Sequence, residues 1–148
     1  FDGTAATCED FVRSMEFGGG VDLTQFRLWY SQAGTPRVSA SIEHDGGRAT
    51  LRLAQRVPAT PGQPDKEPMV LPLRLKLFGA ETGKPLIEER LHMLDETSQT
   101  VVFDGVGERP VLSINRGFSA PVIVESDRSA ADLAFLSRHD DDPFARYE

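Results

Sequence analysis

Three histidines, His44, His92 and His139, and one cysteine, Cys8, are the side chains here best suited to hold a transition metal or attack a substrate. Their spacing argues against both. The histidines stand far apart, in a turn, a strand and a helix end. No His-Glu-x-x-His, no Cys-x-x-Cys and no pair of histidines at helical spacing occurs, so no zinc ligand set can be read. His139-Asp140-Asp141-Asp142 offers oxygen ligands, but hard-cation loops place theirs at alternate positions around a glycine turn. Consecutive acids before Pro143 read instead as a helix N-terminus complementing its dipole. Cys8 lies beside Glu9 and Asp10, whose negative charge disfavours a thiolate, so an inert, packed cysteine is expected. Gly18-Gly19-Gly20 lacks the Lys-Ser/Thr of a phosphate loop and follows a helix rather than a strand. No Gly-x-Ser-x-Gly elbow is present. Glu88 with Asp95 would be the carboxylate pair of a small hydrolase, but strand spacing does not specify such a pair and no nucleophile stands nearby. No catalytic, cofactor-binding or metal-binding residue is assigned.

The net charge of −7 and a pI near 5.0 argue against a nucleic-acid or anionic-membrane surface, which needs clustered Lys and Arg. A single cysteine allows no internal disulfide. No apolar run approaches the roughly 18 residues of a membrane helix. The first ten residues hold Asp2, Glu9 and Asp10 and no basic charge, unlike a signal peptide. A cytoplasmic location is expected.

The elements that must position any site fall into three blocks. Thr7-Cys8-Glu9-Asp10 is a capping box opening a helix over 8–16, with Phe11, Val12 and Met15 on one face. Asp22, with Gln25 three residues on, opens a second helix that carries Leu23, Phe26, Trp29, Tyr30 and Ala33. Gly34 and Pro36 then stop it. From Pro36 the period becomes two. Val38, Ala40 and Ile42 alternate with polar residues, His44–Arg48 turns on an Asp-Gly pair, and Ala49, Leu51 and Leu53 return. Pro58–Pro68, with four prolines in eleven positions, is expected to be a stiff, extended excursion. Leu71, Leu73, Leu75 and Leu77 form the clearest strand, with an edge expected at Pro72. Further strands are read over 86–94, 97–103, 110–115 and 119–125. The fold class that follows is mainly β: an Ig-like antiparallel β-sandwich of about seven strands, flanked by short helices at both ends. After Glu125 the pattern is helical again. Asp127 or Ser129 caps it, Leu133, Phe135 and Leu136 make a stripe, and a further helix follows Pro143.

Trp29-x-x-Gln32-x-Gly34-x-Pro36 resembles the segment that closes the catalytic domain of zinc aminopeptidases of the aminopeptidase N family, most closely the bacterial branch. The resemblance is carried also by Asp2-Gly3, Thr7–Phe11, Asp22–Phe26, Pro61–Pro64, Glu108–Pro110, Arg116–Pro121, Asp132–Leu136, His139-Asp140 and Asp142–Phe144. It implies terminal helices of the catalytic domain over 1–34, the Ig-like β-sandwich over 35–125, and the start of a C-terminal helical domain over 126–148. The family's zinc ligands, exopeptidase motif and catalytic tyrosine have no counterpart in this sequence. Zinc and the peptide substrate therefore belong to a parent enzyme, of which this chain reads as an excised segment.

The expected function is that of a non-catalytic spacer setting the C-terminal helical domain against the catalytic domain. Trp29, Tyr30, Gln32, Gly34 and Pro36 would form one junction, and Arg116, Gly117, Phe118 and Pro121 the other. The alternative is a free-standing β-sandwich that binds a protein or peptide by a strand edge or by the proline loop. Apolar end helices cut from their partners also offer a surface for self-association of the fragment.

Overall fold

The computed structural model describes Gly3 and residues 5–147. Asp2, part of one stretch that carries the family resemblance, lies outside the described residues.

The period-two middle of the chain becomes seven strands: β1 (Arg37–Asp45), β2 (Arg48–Arg56), β3 (Leu71–Gly79), β4 (Arg90–Leu94), β5 (Ser98–Asp104), β6 (Pro110–Ile114) and β7 (Ile123–Ser126). One sheet has the order β5-β2-β1-β7 and the other β4-β3-β6. Alternate residues face inward because successive side chains of a strand point to opposite faces. Leu51, Leu71, Leu73, Leu75, Leu77 and Leu94 are wholly buried between the sheets, with Val38, Leu53, Phe103, Leu112 and Ile114 around them. Each such side chain contributes about 1.5–3 kcal/mol relative to exposure. Every strand pair is antiparallel except β1 with β7, which run parallel, Arg37 beside Ile123.

The β1–β2 ladder runs on to Asp45 opposite Arg48, so the turn is centred on Gly46-Gly47 rather than on Asp45-Gly46. Both glycines have positive φ (56° and 81°), as a two-residue hairpin turn demands. Pro72 lies in the middle strand of its sheet yet behaves as an edge residue. β6 pairs only with Leu75–Gly79, and the neighbouring Arg74 N–H points to Ser119 Oγ (3.0 Å), away from β4. The missing donor of Pro72 falls on that uncovered side.

Among the described residues three α-helices flank the sandwich: α1 (Cys8–Gly19), α2 (Leu28–Ser31) and α3 (Ala130–His139). α1 opens on the expected Thr7–Asp10 capping box and ends on left-handed Gly20. Val12 is buried, but Phe11 and Met15 are exposed, and so is Cys8, against the expectation that it would be packed. α3 opens on a capping box of Ser129 with Asp132. Its Leu136 joins Phe78 and Val111 on the outer face of the three-stranded sheet, Phe135 packs at their margin, and Leu133 stays exposed.

Four expected elements are shorter than their patterns suggested. The helix read from Asp22 is a run of turns followed by the single turn α2. Asp22 Oδ1 accepts from Thr24 N and Oγ1 (2.9 and 2.5 Å), and Gln25 leaves the expected capping box to donate to Pro68 O and Asp95 O. Tertiary partners have overridden a local helix signal. β4 starts at Arg90, because Pro85 makes only an isolated bridge to Phe78 and Leu86 N–H bonds Leu77 O. β7 starts at Ile123, because Asn115 holds the N and O of Ala120 and Val122 N–H bonds Ala120 O (2.9 Å), which keeps these groups out of the ladder. Beyond Pro143 there is a turn capped by Asp142, whose Oδ1 accepts from Ala145 N (2.8 Å).

Leu73→Ala is expected to cost about 2–5 kcal/mol in urea denaturation, since it empties the centre of the core. Pro72→Ala, one residue away, is expected to stay within about 1 kcal/mol of the parent sequence because its nitrogen serves no ladder bond. Equal losses at the two positions would contradict the register described.

Candidate functional site

At the N-terminal flank, α2 lies on the end of the sandwich through its tryptophan. Trp29 is half-buried against the core, and its Nε1–H donates to Val70 O (3.0 Å). Gln32 pairs with Glu67 as a backbone would. Its Nε2 donates to Glu67 O (2.9 Å) and its Oε1 accepts from Glu67 N (2.8 Å). Gln63 does the same in reverse, donating to Ser31 O (2.9 Å) and accepting from Ala33 N (2.8 Å). Buried Gln55 bonds both N and O of Met69 at 2.8 Å. Lys66 Nζ closes the set on Ala33 O and Thr60 Oγ1 (2.8 and 2.7 Å).

The proline segment is therefore no free excursion. It turns back through reciprocal Thr60–Gln63 backbone bonds and is fastened to residues 31–33. Gly34 has φ 103°, and a Cβ there would lie 3.3 Å from Pro58 O and from Val57 Cγ1, so the close approach of the strap requires glycine. Pro36 is buried, and its carbonyl accepts from Ile123 N (3.0 Å). Tyr30 is 54% exposed and touches only the edge of Phe26 among the aromatic rings described.

At the C-terminal flank the central group is Arg116, whose side chain is 5% exposed. Its Nε donates to Glu89 (2.8 Å), one terminal nitrogen to Asp140 (2.8 Å) and Ser113 Oγ (3.3 Å), and the other to Asp141 (2.5 Å). Ser113 Oγ–H donates to the second oxygen of Asp140, a carboxylate with no solvent exposure. Lys76 of β3 reaches Asp141 from the other side (2.9 Å). The acidic run thus splits its work: Asp142 caps a turn where a helix was expected, while Asp140 and Asp141 neutralise a buried guanidinium. The Arg116 and Lys76 cations hold the Asp141 carboxyl far below the usual carboxylate range. Burial works against the Arg116 charge, but Asp141 and Glu89 outweigh it and its affinity for the proton rises.

Gly117 and Phe118 follow with φ 63° and 52°, after Asn115 at 56°. Asn115 supports this unusual backbone by bonding both N and O of Ala120 (2.9 and 3.1 Å). The Phe118 ring lies 5.2 Å from that of Phe144 and is half exposed, and Pro121 is exposed.

The histidines serve other ends. His44 Nε2 bonds Val106 O (2.7 Å), His92 Nε2 bonds Gln99 Oε1 (2.8 Å), and His139 stacks at 4.4 Å on Phe135. Among the described residues no three His, Cys, Asp or Glu side chains are arranged to hold a metal ion.

The residue types at the two flanks were marked by the family resemblance, but their partners were not. Nothing local announces the partners of Gln25, Gln55 and Gln63, because an amide finds its partner through the fold. A run of three aspartates, more acid than one helix end needs, was the visible hint of a buried cation.

Trp29→Ala is expected to cost about 2 kcal/mol, less than for a fully buried ring, and Trp29→Phe about 1 kcal/mol for the lost bond to Val70. Both are read by chemical denaturation. Arg116→Met leaves the Asp140 carboxylate buried and unpaired, and is expected to cost about 3–5 kcal/mol. Because the Asp141 carboxyl is shifted down in the folded chain, the unfolded chain takes up more protons below about pH 4. The stability that Asp141 contributes is fully present above that pH and is lost as pH falls further. The decline of stability from about pH 4 to pH 2 is expected to be shallower in Arg116→Met. An unchanged slope would remove Asp141 from the clasp.

Comparison with known proteins gives these flanks a context. Residues 34–127 match a family described as a domain of unknown function (DUF3458) with an Ig-like fold. Over 99% of its length the chain is 39% identical to aminopeptidase N of Escherichia coli K12, 37% to that of Haemophilus influenzae and 42% to that of Caulobacter vibrioides. It spans only 18%, 18% and 17% of those proteins. The crystal structure of Legionella pneumophila aminopeptidase A in complex with aspartic acid superposes with a TM-score of 0.84 at 26% identity, over 97% of this chain and 16% of that one. With seven strands in two facing sheets and a match over most of its length, the chain belongs to the DUF3458 Ig-like family, in the form found within aminopeptidase N.

Proposed function

We propose that this chain is the non-catalytic Ig-like segment of a larger, cytoplasmic, zinc-dependent aminopeptidase, and that it acts as a rigid spacer. The observation that carries the reading is that both segments flanking the sandwich are fastened to it by directed, partly buried polar contacts. Residues 28–33 are held by Trp29 and the glutamine set, and residues 140–142 by Arg116. A sandwich gripping both flanks fixes the angle between whatever those flanks continue into. On this reading residues 1–34 end the catalytic domain, 35–125 form the spacer and 126–148 begin the C-terminal helical domain. Tyr30, Phe118 and Pro121, exposed beside the two fastenings, face those neighbours. Zinc and substrate are handled upstream of this segment. The limited share of the relatives that the chain spans supports the same division.

The test is aminopeptidase activity on an alanyl chromogenic substrate, with zinc quantified on the same purified 148-residue sample. No turnover and no stoichiometric zinc are expected. Turnover with zinc near one per chain would overturn the proposal and make His44, His92 and His139 ligands after all.

A further inference from the structure

β4 presents an open edge. It pairs with β3 through Leu71 opposite Leu94, Leu73 opposite His92 and Leu75 opposite Arg90. The Arg74 N–H points away from β4, to Ser119 Oγ, which fixes the parity of the ladder. Odd residues of β3 and even residues of β4 bond each other, and the backbone N–H and C=O of Leu91 and Met93 face outward. Among the described residues no other strand lies beyond them. Their side chains stand on the outer face of the sheet, 58% and 45% exposed, beside Arg74 and Pro72. The β6 edge of the same sheet is blunted, since Leu112 O accepts from Arg128 (3.4 Å).

Charge selects the occupant. Exposed Glu88 and Glu89 precede the strand, Glu89 being already paired with Arg116 (2.8 Å), and exposed Asp95 and Glu96 follow it. The one cation within it, Arg90, lies over the Phe103 ring, 5.1 Å from its centroid. A second copy pairing antiparallel about His92 would set Glu88 opposite Glu96, which like-charge repulsion opposes. A strand that is apolar in the middle and basic at both ends meets no such penalty.

We propose that the free edge of β4 receives an extended peptide segment as an added strand. Its apolar side chains lie over Leu91 and Met93, and its basic ends meet Glu88 at one end and Asp95 with Glu96 at the other. Main-chain bonds supply the affinity, and the acids supply the selectivity and part of the association rate. This surface shares only Glu89 with the C-terminal fastening, and neither fastening uses the outward groups of Leu91 and Met93.

The probe is an acetylated nonapeptide alternating valine and threonine between paired lysines, and the control carries paired glutamates instead. Amide hydrogen exchange of the labelled 148-residue chain is followed by NMR. The basic probe is expected to slow exchange at Leu91 and Met93, and the acidic one to leave it unchanged. Met93→Pro removes one edge donor without touching the bonds to β3, and is expected to weaken binding about tenfold. Glu88→Lys with Glu96→Lys, which disturbs no backbone, is expected to shift preference toward the acidic peptide. Unchanged exchange at Leu91 and Met93, equal binding of the two peptides, or self-association that protects the same amides without peptide would each overturn the proposal.

Discussion

A guanidinium taken out of water must be neutralised and have its donors filled, or the fold around it fails. Arg116 meets that demand with carboxylates from separate parts of the chain: Glu89 ahead of β4, and Asp140 and Asp141 beyond α3. Ser113 from β6 and Lys76 from β3 complete the network. Each partner is fixed by its own element, so the side chain can be satisfied only when those elements are in register. Direction as well as attachment is specified, because a planar fork accepts carboxylates from a narrow set of angles. No buried side-chain nitrogen or oxygen among the described residues is left without a partner.

The other flank solves a different problem by different means. Pro58, Pro61, Pro64 and Pro68 have no N–H to give, so the segment between β2 and β3 cannot be held by a regular ladder. Glutamine amides stand in for the missing strand. Gln32, Gln55 and Gln63 each offer one donor and one acceptor to the backbone of a segment brought alongside. These contacts are neutral and indifferent to acid, whereas the arginine clasp is charged and sensitive to it. The two ends of one domain thus differ in the physics of attachment.

What could be read from the sequence follows the range of the interactions involved. The strands were legible because Leu71, Leu73, Leu75 and Leu77 repeat at the period of the pleat, and α1 because Thr7 and Asp10 cap within one turn. The helix read from Asp22 failed where Gln25 found distant carbonyls better placed than its own N-cap. The hairpin centre moved by one residue because Asp-Gly and Gly-Gly are both good turn pairs, and only the ladder register chooses between them. The parallel β1–β7 pair left no trace in composition. At the two flanks the resemblance to aminopeptidase N marked Trp29, Gln32, Gly34 and Arg116, but their partners emerge only from the fold. Nothing within a few residues of Arg116 announces Asp140, and nothing near Gln32 announces Glu67.

The parallel pairing of β1 with β7 has a mechanical consequence. β1 is the first strand and β7 the last, and Arg37, where the chain enters, lies beside Ile123, three residues before the exit at Ser126. Entry and exit are therefore only roughly 10 Å apart along the strand direction. Tension along the strands, drawn between the two flanks, pulls β1 from its N-terminal end and β7 from its C-terminal end, so the pair is loaded in shear. The backbone bonds between them share the load and must give way together rather than opening one after another like a zip. A pull that would peel an antiparallel hairpin apart meets, in this domain, a strut.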